Sequence, residues 1–233
     1  MTAGFISFCV NNISFKVESP RSFAVLIVIF IVIAYLGSEF VWTHSKLTIK
    51  KISSVEQKEV LMAFSSRSVK KAKSILTDDC LKTLVTNGIS KPAALDSLIT
   101  YTQENDLNHV NLLLKEIKPH IEKIKKVVIF NSTDTLEEYK EIVSILNKAF
   151  PSIEFINSKH QYATEFKTEI LENEIKNHNK ESIVIALTGG TKITTVMAFA
   201  AVAHEPEIIM QAIEQGNGSV LQYEFITGKS NIS

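Results

Sequence analysis

Thr188-Gly189-Gly190-Thr191-Lys192 is the stretch of this chain whose residue types and spacing could do the most chemistry. Two adjacent glycines let a backbone turn sharply and approach a ligand closely. Two threonines offer hydroxyl groups, and the lysine a full positive charge. The stretch leaves Ile183-Val184-Ile185-Ala186-Leu187, a run suited to a buried strand, and opens a small-residue helix predicted to reach about His204. Such a turn presents the unpaired amides and partial positive charge of a helix N-terminus. These features predict a compact phosphate site formed by Thr188, Gly189, Gly190, Thr191 and Lys192. The competing reading is a tight turn with Lys192 in solvent.

A second polar loop, Asn131-Ser132-Thr133-Asp134-Thr135, follows the apolar run Val127-Val128-Ile129-Phe130. Asp134 could act as a base, but no partner for it is identifiable, so no catalytic residue is assigned. Other nucleotide and hydrolase motifs do not fit. No G-x-G-x-x-G follows the first predicted strand, and neither G-x-S-x-G nor H-E-x-x-H occurs. Gly228-Lys229-Ser230 resembles the end of a P-loop, but the upstream glycine position is Tyr223. His109 and His120 are isolated, and neither a metal nor a cofactor is predicted.

The elements that must position these loops follow from periodicity. Helical spacing runs through Leu136, Tyr139, Ile142, Val143 and Leu146 until Pro151, a strand is predicted at 153–156, and a helix from Gln161 to about His178. Strands at 208–214 and 220–226 flank Gly216-Asn217-Gly218-Ser219. The order β-α-β-α-β-α-β-β over 126–233 predicts an α/β, Rossmann-like, mostly parallel sheet with a terminal hairpin. Ligands of such sheets bind beyond the C-terminal strand ends, where both polar loops emerge. Residues 43–125 read as a helical spacer, with Ile49, Ile52, Val55, Val60 and Phe64 near helical spacing. Helix starts are predicted at Thr77-Asp78-Asp79 and Ser90-Lys91-Pro92, a stop at Asn87-Gly88, and a helix over 106–124 bent at Pro119.

Composition bounds these readings. The 233 residues carry 25 basic and 25 acidic side chains, with 45% hydrophobic residues. That excludes a disordered chain and a strongly basic nucleic-acid binder. Two cysteines, Cys9 and Cys80, exclude a disulfide framework. The apolar residues are concentrated: Ser22 to Ser38 carries no charge, and extension to Trp42 gives the roughly 20 residues a transmembrane helix needs. A buried core helix or a cleaved signal peptide fits less well, because the apolar residues occupy every face and Leu36-Gly37-Ser38 is a poor cleavage site. The predicted span is 22–42, after a short extracytoplasmic segment 1–21 that reads as a hairpin about Asn11-Asn12 or as a tail. Lys46, Lys50, Lys51 and Lys58 outnumber Lys16 and Arg21, which predicts a single-pass inner-membrane protein with its C-terminal domain in the cytoplasm.

The pentapeptide at the end of a late strand, opening an Ala-rich helix, resembles the signature of CRISPR-associated Rossmann fold (CARF) domains. The Asn131–Thr135 loop stands where that family has its other ligand-contacting loop. The resemblance covers about residues 126–233. It implies a homodimer that binds a cyclic oligoadenylate across its twofold axis, the messenger made by type III CRISPR complexes that detect foreign RNA. Implied ligand contacts are Asn131, Ser132, Thr133 and Asp134 together with Thr188 to Lys192, and the implied ligand is cyclic tetra-adenylate. Sensor plus transmembrane helix resembles antiviral membrane effectors that depolarise the membrane. Such a chain would assemble into a homotetrameric pore, in which Glu39 would form a charged ring at the cytoplasmic mouth or be an ordinary interfacial residue. The alternatives are a membrane-anchored ring nuclease, with Lys192 stabilising developing charge, and a nucleotide-sensing adaptor tethered by the helix.

Overall fold

The computed structural model describes residues 47–66, 75–77, 79–81, 89–159, 167–214 and 218–227. The predicted membrane span 22–42, Glu39, the hairpin about Asn11-Asn12, the Asn87-Gly88 stop, the helix start at Gln161 and the Gly228-Lys229-Ser230 stretch lie outside them. Among the described residues no helix is long and apolar enough to cross a membrane.

Residues 47–227 form one compact unit. Its strands are β1 (Leu47–Lys51), β2 (Val60–Phe64), β3 (Lys126–Phe130), β4 (Glu154–Asn157), β5 (Ile183–Ala186), β6 (Ile209–Ile213) and β7 (Val220–Thr227). Its helices are α1 (Lys91–Glu104), α2 (Asn108–Ile117), α3 (Leu136–Ala149), α4 (Thr168–Ile175) and α5 (Lys192–Val202). One sheet has the order β1-β7-β6-β5-β2-β3-β4. The pairs β6-β5, β5-β2, β2-β3 and β3-β4 are parallel, and β7 runs antiparallel to both β6 and β1. The mostly parallel α/β sheet and the terminal hairpin agree with the sequence reading.

The helical spacer over 43–125 is corrected. β1 and β2 lie inside it, and β2 is the central parallel strand. The domain therefore does not begin at 126, and the strand at 126–130 is the third rather than the first. Val60-Leu61-Met62-Ala63-Phe64 is buried at every position, facing a core on both sides of the sheet. A short run of that kind has no alternation, so periodicity does not separate it from a helix segment. β1 is an edge strand whose Lys50 pairs with Glu224 of β7, 3.4 Å away and directly opposite in register. A charged, short edge discourages pairing with another chain.

Two apolar cores follow from the pleat. Leu61, Ala63, Val127, Ile129, Val184 and Ala186 face α1, α2 and α3. Val60, Met62, Phe64, Val128, Phe130, Ile183 and Ile185 face α4 and α5. Alternate residues of each strand thus belong to opposite cores, as side chains of period two require. The helix start at Ser90-Lys91-Pro92 agrees with α1, which carries Pro92 in its first turn. The Thr77 hydroxyl accepts from the Cys80 amide at 3.3 Å, as a capping residue does. The helix predicted over 106–124 is shorter, with α2 at 108–117 followed by a 3-10 turn over 118–120, where Pro119 has no amide to donate. The helix predicted to end near His178 closes at Ile175.

Candidate functional site

From β2 the chain moves to β3 and β4 on one side, then returns to β5 and β6 on the other. The order of strands reverses between β2 and β5, and crevices at such reversals hold ligands in open α/β sheets. The turn 188–191 leaves β5 at this point. A Cβ on Gly189 would run into the Phe64 carbonyl oxygen at the end of β2, with the carbonyl carbon 3.1 Å away. Gly190 has φ +80°, and a Cβ there would meet the Thr194 hydroxyl and lie 3.0 Å from Phe64 Cβ. Both glycines are therefore needed to seat the turn against the central strand.

The two threonines of the motif serve the turn itself. Thr188 Oγ1 accepts from the Ile213 amide at 2.7 Å, tying β5 to the end of β6. Thr191 is the N-cap of α5. Its hydroxyl accepts from the Thr194 amide at 3.3 Å, and Thr194 Oγ1 accepts in return from the Thr191 amide at 2.8 Å. This reciprocal pair fixes the direction in which the helix starts. Each hydroxyl thus accepts one amide within the fold and keeps its own proton to donate, and Thr191 is exposed where Thr188 is half-buried. The Lys192 side chain, which is exposed, and the first-turn amides of Lys192 and Ile193 remain to receive an anion.

Beneath the turn lies Glu116 of α2, 1% exposed. Burial pushes its carboxyl up to about 8, and the neighbouring donors of Thr188 and Gly189 offset part of that rise. The Glu116 carbonyl accepts from Gln211 Nε2 at 2.8 Å, and Gln211 Oε1 lies 2.7 Å from His120 Nε2. His120 Nδ1 accepts from the Lys58 amide at 3.0 Å, and burial lowers this imidazole. A buried polar chain therefore runs from Lys58, just before β2, through His120 and Gln211 to the backbone of α2.

The loop after β3 emerges one strand beyond β2 on the same edge. Ser65 joins the two loops: its amide donates to the Phe130 carbonyl at 2.9 Å, and its hydroxyl lies 2.6 Å from Thr135 Oγ1. The Ser66 amide donates to the Tyr139 hydroxyl at 3.1 Å. Ser132 is half-buried and bound to Thr135, while Thr133 and Asp134 are exposed. Asn131 is a correction: it is fully buried, and its Nδ2 donates to the Ile129 carbonyl and to Asn157 Oδ1. It positions the loop, because its donors are used inside the fold.

Charge distinguishes the two helix starts on this edge. α3 carries Glu137 and Glu138 in its first turn, which offset its N-terminal partial charge. α5 has no acidic residue there and begins with Lys192. Of the two helix starts, α5 is the one whose charge suits an anion, and Thr133 and Asp134 suit hydroxyl or amino groups.

Sequence reasoning missed Ser65, Ser66, Glu116, Tyr139 and Gln211. The signal for the first two was the apolar run 60–64 followed by Ser65-Ser66, the same strand-then-polar-loop pattern as at 127–135. Nothing local marks Glu116, which lies 72 positions before Thr188 in the chain.

A doubly wound sheet with a glycine-built strand-to-helix turn at its reversal point is the architecture of nucleotide-binding domains. Residues 98–224 match the family model of the Card1 CARF domain, and the chain belongs to that family. The match begins within α1, so β1 and β2 precede it. No curated protein matches the chain.

Proposed function

We propose that this chain is an antiviral membrane effector of type III CRISPR defence, which binds a cyclic oligoadenylate through its CARF domain and opens an oligomeric transmembrane pore. One observation carries the sensing part: the Thr188–Lys192 turn is packed through Gly189 onto the central strand, with Lys192 at an acid-free helix start. The family's domain type supports a cyclic oligoadenylate, and a symmetric pair of anion sites suits the repeated phosphates of cyclic tetra-adenylate. Phosphates meet the α5 turn, while ribose hydroxyls and adenine amino groups meet Ser66, Thr133 and Asp134. Ile193 and Val196, 60% and 64% exposed on α5, support a homodimer that brings two such turns around one ring.

The apolar residues 22–42 supply the membrane part, as a single inner-membrane span with the sensor in the cytoplasm. One helix encloses no pore, so two sensor dimers assemble a tetramer, with Glu39 at its mouth. The proposed chain is not an enzyme and uses no cofactor. Its output is depolarisation.

The test uses the full chain. Calorimetric titration in detergent should give one cyclic tetra-adenylate per dimer. Lys192→Ala should weaken it by at least about tenfold, the loss of one charged hydrogen bond, with an unchanged melting temperature. Reconstituted in liposomes, the protein should pass ions only after the ring is added. Linear adenylate products would favour a ring nuclease, and tight binding without ion flux a tethered adaptor.

A further inference from the structure

Residues 52–59 carry no regular structure, yet they join the edge strand β1 to the central strand β2. In the sheet order these strands are separated by β7, β6 and β5, so the segment crosses all three as a strap. Ile52 packs into the core that α1, α2 and α3 cover, which places the strap on that face. Its backbone is fastened at a few points. The Ile52 amide donates to the Gln222 carbonyl at 2.8 Å. The buried Gln222 side chain holds both backbone groups of Glu56: Oε1 accepts from the amide at 2.7 Å, and Nε2 donates to the carbonyl at 3.0 Å. The Glu59 amide donates to the Ser182 carbonyl at 3.1 Å, and Lys58 Nζ to the Glu181 carbonyl at 2.7 Å. Between these, the Lys58 amide donates to Nδ1 of the fully buried His120 at 3.0 Å.

Among these acceptors His120 is the one that can take a proton near neutral pH. Its tautomer follows from the hydrogen bonds. Gln211 Nε2 donates to the Glu116 carbonyl at 2.8 Å, which turns Gln211 Oε1 toward His120 Nε2 at 2.7 Å. Nε2 therefore carries the ring proton, and Nδ1 offers its lone pair to the Lys58 amide. A second proton on Nδ1 would face an amide hydrogen that no side-chain rotation can move away. The charged groups around the ring give that proton no support. On the strap, the Lys58 ammonium opposes it, and Glu56 is paired to that ammonium at 2.8 Å. On α2, Glu116 joins the chain through its backbone carbonyl. On the 3-10 turn, Lys118 is exposed and paired with Asp96 of α1 at 2.7 Å. Glu59 is engaged by Lys125 at 2.8 Å. β6 presents the neutral Gln211, and β5 is apolar throughout.

We propose that His120 is a pH-sensitive fastener of the strap between β1 and β2: the neutral ring holds the Lys58 amide, and protonation at Nδ1 releases residues 52–59. The other fastenings do not titrate in this range, so acid frees the strap before it opens the sheet. The device needs no ligand. Stability is linked to the same proton. Burial holds this imidazole below its ordinary value of 6.5. The unfolded chain therefore takes up the proton first as pH falls. The stability that the neutral ring contributes is complete above the unfolded value and is lost as pH falls through the folded one.

The experiment melts the full chain in detergent at about pH 7.5 and about pH 5, beside His120→Gln, whose amide offers one acceptor and one donor without titrating. Groups that titrate elsewhere act on both proteins alike. From 6.5 down to the lower pH is about 1.5 units, which favours the unfolded wild type by up to about thirtyfold. Wild type should therefore lose about 4–8 °C more than the variant on acidification. Hydrogen exchange on the wild type alone gives a second readout. Corrected for the intrinsic effect of pH, protection of peptides over 52–59 should fall about tenfold at the lower pH, while peptides over β3 keep theirs. Parallel melting losses in the two proteins overturn the titrating ring. Strap protection that is unchanged, or that falls together with that of β3, overturns the fastener even where His120→Gln fails to fold.

Discussion

Gly189→Ala tests the seating of the turn most directly. The added methyl meets backbone, the carbonyl oxygen and carbon of Phe64, with the carbon 3.1 Å away. Carbon atoms settle at roughly 3.5–4.0 Å, and the oxygen is nearer still, so the turn and the end of β2 must part by about an ångström. No side chain can rotate to accommodate this. β2 is fixed on its other flank by β3 and by the Ser65 amide bonded to the Phe130 carbonyl at 2.9 Å. The movement therefore falls on the turn and on the hydrogen bond that holds Thr188 Oγ1 to the Ile213 amide. Overpacking of this kind costs about 3 kcal/mol, the upper end of its usual range. At roughly 2–4 °C per kcal/mol for a domain of this size, the melting temperature should drop by about 6–12 °C. Gly218→Ala is the control, since Gly218 has φ +69° with nothing near its Cβ position. It should cost only the left-handed backbone term of about 1 kcal/mol. Thermal melts of the three proteins, each followed by nucleotide titration, decide the matter. A Gly189→Ala protein that melts within about 2 °C of wild type and binds normally would refute the seating.

Two further outcomes separate structural from contact roles. Asn131→Ala leaves the Ile129 carbonyl and Asn157 Oδ1 without their donor, and should cost about 1–3 kcal/mol in a denaturant melt, whereas exposed Thr133→Ala should leave stability unchanged. Val196→Cys, in a background with Cys9 and Cys80 replaced by Ser, should form a disulfide-linked dimer on mild oxidation, because the exposed face of α5 is proposed to meet its own copy; a protein that stays monomeric on a non-reducing gel refutes that interface.

The legible parts of the fold were those whose sequence pattern is local. The strand at 126–130 stands between a lysine-rich turn and a polar loop, α3 alternates on a helical period, and the 188–192 pentapeptide carries its own glycines. β2 was not legible, although it is the strand on which everything else is arranged. Its five residues are buried on both faces, so they show neither the alternation of a half-exposed strand nor the stripe of a surface helix. The neighbouring isoleucines and valines at three- and four-residue intervals then favoured helix. The consequence reached the site, because a spacer reading removed Ser65 and Ser66 from the ligand edge and put the domain boundary far downstream of Leu47.

The hydroxyl groups have a structural role that their local sequence does not show. A threonine beside two glycines reads as a donor for a ligand, but the same tightness that lets the backbone approach a phosphate leaves the turn needing internal partners. Thr188 accepts from the Ile213 amide, Thr191 accepts from the Thr194 amide, and the motif is held in place before any ligand arrives. Preorganised amides lose little on binding, which favours affinity for any phosphate rather than for one nucleotide. Discrimination then has to come from groups outside the motif. Those available on this edge are the exposed Thr133 and Asp134 beyond β3 and the half-buried Ser66 beyond β2, positioned by Asn131 and Tyr139. A carboxylate among them repels phosphate and accepts from hydroxyl and amino groups, so it belongs to the part of the site that reads sugar or base. On the proposed reading the edge is divided by charge: α5 takes the anion, and the loops after β2 and β3 read what the anion carries.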